Sequence, residues 1–252
     1  MIVLERLRPL VPSEVELIVL ETVGSTNDYA KTMASNGISK DLCVIANEQV
    51  KGRGTRGRSF YSPGGSGLYL SYATNIKKTD NEIPPTPAVA VAVARAVQSV
   101  YNVKPEIKWV NDVLICGRKI CGILTEKIPT TYEDYDSVVI GVGVNISTEA
   151  FPEEIKDRAA SISEFADVFE VEHFAAEIIG QIRALAINPD PDKYMSEYKA
   201  ASSVLGRRIA FVHDGIDKAG IAKDINQNGH LMVETCAGII ELFSGEVSVI
   251  TV

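Results

Sequence analysis

Hydrophobic positions along this chain fall in short blocks separated by glycine-rich or charged stretches. VELIVLE (15–21), LCVIA (42–46) and LYLSYA (68–73) have the length and β-branched or aromatic content of strands. Between the first two, Ser25 or Thr26 is placed to cap a short helix running through Asn36, which Gly37 can end. Residues 49–67 are too rich in glycine for a regular element. Pro84, Pro85 and Pro87 then lead into AVAVAVARAVQSVY, whose alternation fits a strand but whose alanines and leading prolines predict a buried helix. IKWV, DVLIC, KICGILTEK and SVVIGVGVNI follow, with a turn at Gly117-Arg118, and read as consecutive strands of one mostly antiparallel sheet. Residues 171–187 and 191–199 read as helices. From about Leu205 only short strands remain: RRIAFVH, KAGIAKDI, HLMVET, GIIELF and EVSVI. The pattern predicts an α/β (α+β) body over 1–203, with helices packed on a mixed sheet, and a small all-β module over 204–252.

Composition narrows the setting. The 252 residues are 46% hydrophobic and 23% charged, which is ordinary for a globular protein. No apolar run approaches the roughly 20 residues needed to cross a bilayer. Charges interrupt the apolar residues of MIVLERLRPL, so no export signal is read there, and the expected setting is cytoplasmic with no membrane partner. Cys43, Cys116, Cys121 and Cys236 form no CxxC pair and read as reduced, mostly buried thiols. His173, His213 and His230 lie far apart, so no zinc site is expected. A net charge of -8 disfavours general affinity for nucleic acid and makes any anion site a local exception.

That exception is GRGTRGRS (52–59). It lies in a stretch, 49–79, that has no carboxylate but carries Lys51, Arg53, Arg56, Arg58, Lys77 and Lys78. Glycines let backbone N–H groups come close to an anion, and arginines add bidentate hydrogen bonds, so phosphate suits both. A solvated loop with incidental basic residues is the competing reading. The spacing nearly fits G-x-G-x-x-G and the Walker A pattern, but both need a helix to begin where the loop ends. Here Phe60-Tyr61-Ser62-Pro63-Gly64-Gly65-Ser66-Gly67 follows, which excludes a helix. No kinase HRD or DFG element follows, and Gly64–Gly67 is not a G-x-S-x-G elbow.

Lys108-Trp109-Val110-Asn111-Asp112 and Lys119 form a second constellation, which the predicted turn folds together. An Asn-Asp pair suits magnesium or a ribose, and lysine suits a carboxylate or phosphate. A surface hairpin with a half-buried tryptophan is the alternative. Gly141-Val142-Gly143-Val144-Asn145 marks either close approach by a ligand or a β-bulge. Ser25-Thr26-Asn27 can be a binding triplet or only an N-cap.

In combination these pieces resemble the biotin protein ligase family over nearly the whole chain. The residues that carry the resemblance are GSTN (24–27), EQVKGRGTRGRSFYSP (48–63), KWVND (108–112), GRKICGIL (117–124) and GVGVN (141–145), in the family's order and spacing. Gly206, GIAKDINQNGHL (220–231) and SGEVS (244–248) resemble its small Src-homology-3-like barrel. The resemblance implies a class II synthetase-like catalytic domain that joins biotin to AMP and passes it to a lysine of a biotin carboxyl carrier protein. It implies that Ser25, Thr26, Asn27 and Gln49 meet the biotin ureido ring, and that Arg53, Gly54 and Thr55 close over biotin and the adenylate. Lys119 would hold the carboxylate and phosphate, and Gly122 and Ile123 would line the biotin slot. Arg56, Arg58, Trp109, Asn111 and Asn145 would hold the nucleotide, with magnesium carried in on ATP. Asp112 is expected to take the acceptor lysine's proton, because an ordinary lysine is only about one part in a thousand neutral at pH 7. Thr55 stands where the family often has arginine, and Val110 where it usually has proline. Repressor members carry a winged helix-turn-helix of about sixty residues upstream; a first catalytic strand near residue 15 leaves no room for one here. A lipoate or octanoate ligase or transferase is the alternative, and the assembly is expected to be a monomer or homodimer.

Overall fold

The structure, a computed structural model, describes residues 1–35, 37–78, 85–131, 133–187 and 190–250. Asn36, Thr79 and Pro84, which the sequence reading used, lie outside the described residues.

Seven strands form the larger sheet: β1 (Glu16–Val23), β2 (Leu42–Gln49), β3 (Gly67–Lys77), β4 (Glu106–Lys108), β5 (Asp112–Ile115), β6 (Arg118–Ile128) and β7 (Tyr135–Asn145). Their spatial order is β1-β2-β3-β7-β6-β5-β4. A short helix, α1 (Leu4–Leu7), precedes β1. β1 and β2 run parallel, as the intervening helix α2 (Thr26–Ala34) allows, and the other pairs are antiparallel.

Because side chains alternate along a strand, each strand presents two different sets. Leu68, Leu70 and Tyr72 of β3 and Val138, Ile140, Val142 and Val144 of β7 join the main core. That face is covered by α3 (Thr86–Tyr101) and α4 (Val171–Leu185). The alternating apolar run is therefore a helix, and most of α3 is buried, so its valines meet apolar neighbours nearly all round. On the opposite face, Ala73 and Val139 pack under Ala30 and Ala34 of α2. Further along that face the strands carry Ser71, Gly141, Gly143 and Gly122, and the first turn of α2, through Thr26 and Asn27, meets Ser71 and Gly141 there.

Several local readings need correction. Only Glu106–Lys108 of IKWV is strand; Trp109–Asn111 form a tight turn that includes a cis Trp109–Val110 peptide. The next turn is centred on Cys116 and Gly117, both with positive φ, so Ile115 pairs with Arg118. That is one residue earlier than expected. The helix read at 191–199 divides into a 3₁₀ turn (Pro191–Lys193) and α5 (Met195–Ala200). The helix expected from Ser25 or Thr26, α2, ends at Ala34, and Gly37 donates back to the Ala34 carbonyl with φ 79°. The thiols are free, but only Cys43 and Cys121 are buried; Cys116 and Cys236 are exposed. No bulge interrupts β7 at Gly141 or Gly143, where pairing with β3 and β6 stays in register.

The remaining strands are β8 (Arg208–His213), β9 (Ile216–Ile225), β10 (Leu231–Thr235), β11 (Gly238–Leu242) and β12 (Val247–Val249). They form a second, antiparallel sheet in the order β11-β10-β9-β8-β12. Its inner residues, including Ile209, Phe211 and Leu231, belong to the same apolar cluster as Trp109 and Tyr198. The buried Trp109 Nε1 donates to Gly229 O at 2.8 Å, and Lys199 pairs with Asp224 at 2.7 Å. The second sheet is thus fastened to the β4–β5 turn.

Candidate active site

The open part of the larger sheet carries two rows of paired residues that cross it. Ser71, Gly141 and Leu124 lie in one, and Tyr69, Gly143 and Gly122 in the next. Missing side chains at the glycines create the space. A Cβ on Gly141 would fall 2.1 Å from Asn27 Oδ1, and one on Gly143 would fall 2.6 Å from the Phe60 ring. The close approach that these glycines allow is therefore made, in this structure, by the protein's own Asn27 and Phe60.

Asn27 and Thr26 enter at the start of α2, where the Ser25 side chain accepts from Asp28 N at 3.4 Å. The cap and the site are one feature, because capping turns the chain so that the next two side chains point at the sheet. Gln49, at the end of β2, accepts from Thr26 N (2.8 Å) and Thr26 Oγ1 (3.0 Å) and donates to Ser62 Oγ (3.0 Å). Ser71 Oγ lies 2.8 Å from Thr26 Oγ1 and 2.6 Å from Asn27 Oδ1. The groups of this network that line the cleft, Ser25, Thr26, Asn27 and Gln49, are neutral hydroxyls and amides.

The glycine/arginine loop lies along the cleft. Its backbone is pinned by Gly54 N to Arg58 O (2.7 Å) and Phe60 N to Gly52 O (2.9 Å). Two of its three arginines are matched to carboxylates from elsewhere in the chain. Arg53 meets Asp28 (2.5 Å) and Glu126 (3.3 Å), and Arg58 meets Glu246 (2.5 Å) between β11 and β12. The Glu246 contact raises the Arg58 pKa, and Arg58 in turn holds the Glu246 carboxyl below its usual value.

The other end of the cleft is ionic. Lys119 Nζ lies 2.5 Å from Asp112 Oδ1 and 6.0 Å from the centre of the Phe60 ring. Asn111 Nδ2 donates to Ile123 O at 3.0 Å, which ties the β4–β5 turn to β6. Among the described residues, no group of three or more His, Cys, Asp or Glu is arranged to hold a metal.

One cleft therefore gathers Ser25, Thr26, Asn27, Gln49, Arg53, Gly54, Thr55, Arg56 and Arg58 with Trp109, Asn111, Asp112, Lys119, Gly122 and Ile123. Asn145 is not among the lining residues. It is buried, and its amide donates to Ala160 O (3.1 Å) and Lys119 O (3.4 Å), so it fixes the Lys119 backbone. Sequence reasoning missed Phe60, Ser71, Glu126 and Glu246. Phe60 stood inside a recognised loop and could have been found as its only ring before Tyr61; Glu246 stood in the quoted SGEVS stretch, where nothing marked it as a partner for Arg58, and Ser71 and Glu126 carry no local signal.

A mixed sheet whose open face holds neutral hydrogen-bonding groups at one end and fixed cations at the other defines a class of ligase site, one that binds a small acid beside an anionic nucleotide. Residues 19–145 match the family model described as Biotin/lipoate A/B protein ligase family, and the chain belongs to that family. It is 30% identical to the bifunctional ligase/repressor BirA of Bacillus subtilis, over 92% of this chain and 73% of that protein. It is 29% identical to the biotin–[acetyl-CoA-carboxylase] ligase of Mycobacterium tuberculosis, over 92% of this chain and 88% of the relative. Among solved structures, the biotin protein ligase from Aquifex aeolicus in complex with biotin and ATP superposes with a TM-score of 0.76. The two are 26% identical, over 92% of this chain and 97% of that one.

Proposed function

We propose that this chain is a biotin–protein ligase that uses ATP to attach biotin to a specific lysine of a biotin carboxyl carrier protein, through biotinyl-5′-AMP. The observation that carries this reading is the single cleft in which the Ser25, Thr26, Gln49 network faces the same space as Lys119 and the loop arginines. Biotin has a neutral ureido ring at one end and a carboxylate at the other. It needs amide and hydroxyl partners at the first and cations at the second.

A carboxylate becomes a good acyl donor only when its oxygen is made a leaving group. In the first step a biotin carboxylate oxygen bonds to the α-phosphorus of ATP, and the bond to pyrophosphate breaks. Negative charge concentrates at the phosphate and the departing group. Lys119, Arg53, Arg56 and Arg58 are the cationic donors that stabilise it. In the second step the acceptor amine bonds to the acyl carbon and AMP leaves. Asp112 takes the proton that the amine must lose. Gly54 and Thr55 cover the intermediate, Gly122 and Ile123 line the biotin slot, and Trp109 and Asn111 sit against the nucleotide. Asn145 serves the nucleotide through the Lys119 backbone that it holds.

Magnesium would enter as the complex with ATP, where the Asn111 side-chain oxygen would suit a hard cation. The catalytic domain comprises 1–203. The region 204–252, with its five antiparallel strands, is a small Src-homology-3-like barrel. The enzyme works in the cytoplasm. No helix among the described residues is long and apolar enough to cross a membrane.

The test is to incubate the purified chain with ATP, magnesium and either biotin or lipoate, and to measure the adenylates by mass. Biotinyl-AMP is the expected product. Lipoate has no ureido ring and leaves the ring-end partners unmatched, at about 1–3 kcal/mol for each lost bond. Comparable adenylate from lipoate would overturn the assignment.

A further inference from the structure

Asn27 and Arg53 lie on opposite sides of the cleft, one in its floor and one on the loop, and the same carboxylate holds both. Glu126 Oε2 accepts from Asn27 Nδ2 at 2.9 Å. Glu126 Oε1 lies 3.0 Å from Lys31 Nζ and 3.3 Å from Arg53 Nη2. Asp28 completes a group of two acids and two bases, 2.9 Å from Lys31 and 2.5 Å from Arg53. Neither Glu126, Asp28 nor Lys31 lines the cleft.

We propose that Glu126 is a positioning residue of the biotin site, setting Asn27 in the floor and Arg53 on the covering loop in one shared geometry. This rests on the function proposed above. An asparagine amide can face either way, and each choice presents different atoms to a ligand. Here Ser71 Oγ donates to its oxygen at 2.6 Å, while Leu124 O (3.3 Å) and Glu126 accept from its nitrogen. Glu126 is the charged acceptor of the set, so it contributes most to the choice. Arg53 extends from a glycine-flanked loop, and its side chain is 41% exposed. Untethered, it would sample many rotamers, and ordering it would cost free energy at each binding event. Two carboxylates, Asp28 and Glu126, hold its guanidinium in place. Partial burial pushes the Glu126 pKa up, but hydrogen bonds from Asn27 and Lys31 and the nearby cations outweigh it, so the net shift is downward. The group is therefore ionised at neutral pH.

A carboxylate that only glued α2 to β6 would show a different mutational pattern. Glu126→Gln keeps an oxygen for Asn27 but loses the charge that holds Arg53. It should raise the KM for biotin about 5–10-fold, the size expected for coupled neighbours, with the KM for ATP within about twofold. In an Arg53→Ala background the same substitution should change the biotin KM less than about twofold. Glu126→Ala also removes the Asn27 contact, so part of its effect should persist in that background. Trypsin gives a readout independent of activity: in the ligand-free protein, Glu126→Gln should speed cutting after Arg53 several-fold at an unchanged melting temperature. An unchanged biotin KM, equal losses in both backgrounds, or an unchanged cutting rate would each overturn the proposal. The unsubstituted chain runs alongside. If it forms no biotinyl adenylate, the assigned function fails, and the cutting rate still decides whether Glu126 holds Arg53.

Discussion

Lys119 Nζ lies 2.5 Å from Asp112 Oδ1, on the strand next to it in the sheet. The cation proposed for the developing phosphate charge is held by the carboxylate proposed for the acceptor's proton. In the proposed reaction an arriving phosphate would compete with Asp112 for Lys119, which would free Asp112 to act as a base.

Lys119→Ala should therefore slow adenylation by about 10²–10³-fold, the usual loss for one donor to transition-state charge. The pair is partly exposed, so the melting temperature should hardly move. Pyrophosphate release against time checks both parts, together with a thermal melt.

Asp112→Asn should separate the two steps. Transfer to the acceptor lysine should slow more than adenylate formation. Single-turnover measurement of preformed biotinyl adenylate meeting the carrier isolates transfer. An equal loss in both steps would place Asp112 on the nucleotide instead.

Two glycines should respond in opposite ways to alanine. At Gly143 a Cβ would fall 2.6 Å from the Phe60 ring, so Gly143→Ala must displace that ring. It should cost about 1–3 kcal/mol and raise the biotin KM. Gly180 lies within α4 with nothing within 4 Å of an added Cβ. Gly180→Ala should stabilise the chain by about 0.5–1 kcal/mol. Paired thermal melts read both.

Limited trypsin digestion should cut the ligand-free chain within residues 51–58. Arg53 and Arg58 are engaged by Asp28, Glu126 and Glu246, so early cuts should favour Lys51 and Arg56. Biotin with ATP should suppress all of them, because the covered loop excludes the protease as it excludes water from the adenylate. Fragment masses identify the sites.

Acid should remove one defined contribution. Asp136 is buried and accepts from Lys127 (2.9 Å), from the Thr130 backbone N–H (2.9 Å) and from Lys78 (3.3 Å). With the Lys127 hydrogen bond foremost, these lower its pKa from 3.8 to about 2. A lowered folded-state value contributes stability above the unfolded value and loses it as pH falls through the folded one. Asp136→Asn should thus lower the melting temperature by roughly 2–6 °C at pH 7. The gap to the unsubstituted chain should close between about pH 4 and pH 2.

The lid and the floor of the site differed in how far they could be read from sequence. Composition singled out Gly52–Ser59 as a loop expected to meet an anion, since clustered arginines in an acidic chain need a local reason. The carboxylates that hold those arginines did not, because Asp28, Glu126 and Glu246 sit in ordinary element contexts and meet the loop only after folding. Asn145 lay in the expected motif but turned its amide onto backbone carbonyls, which no spacing rule could show.

The chain's own pattern determined the order of strands and helices, the buried nature of α3, the separate run of β-strands at the end, and most of the cleft's chemistry. These depend on periodicity and residue type, which act over a few positions at a time. Tertiary structure alone decided that Ser71, Gly141 and Leu124 form one row beneath Asn27, and that Trp109 spends its N–H on Gly229 in the second sheet. Those choices depend on strand register and on contacts between distant segments. A shift of one residue would send every such side chain to the other face, and only the packed sheet selects among the registers.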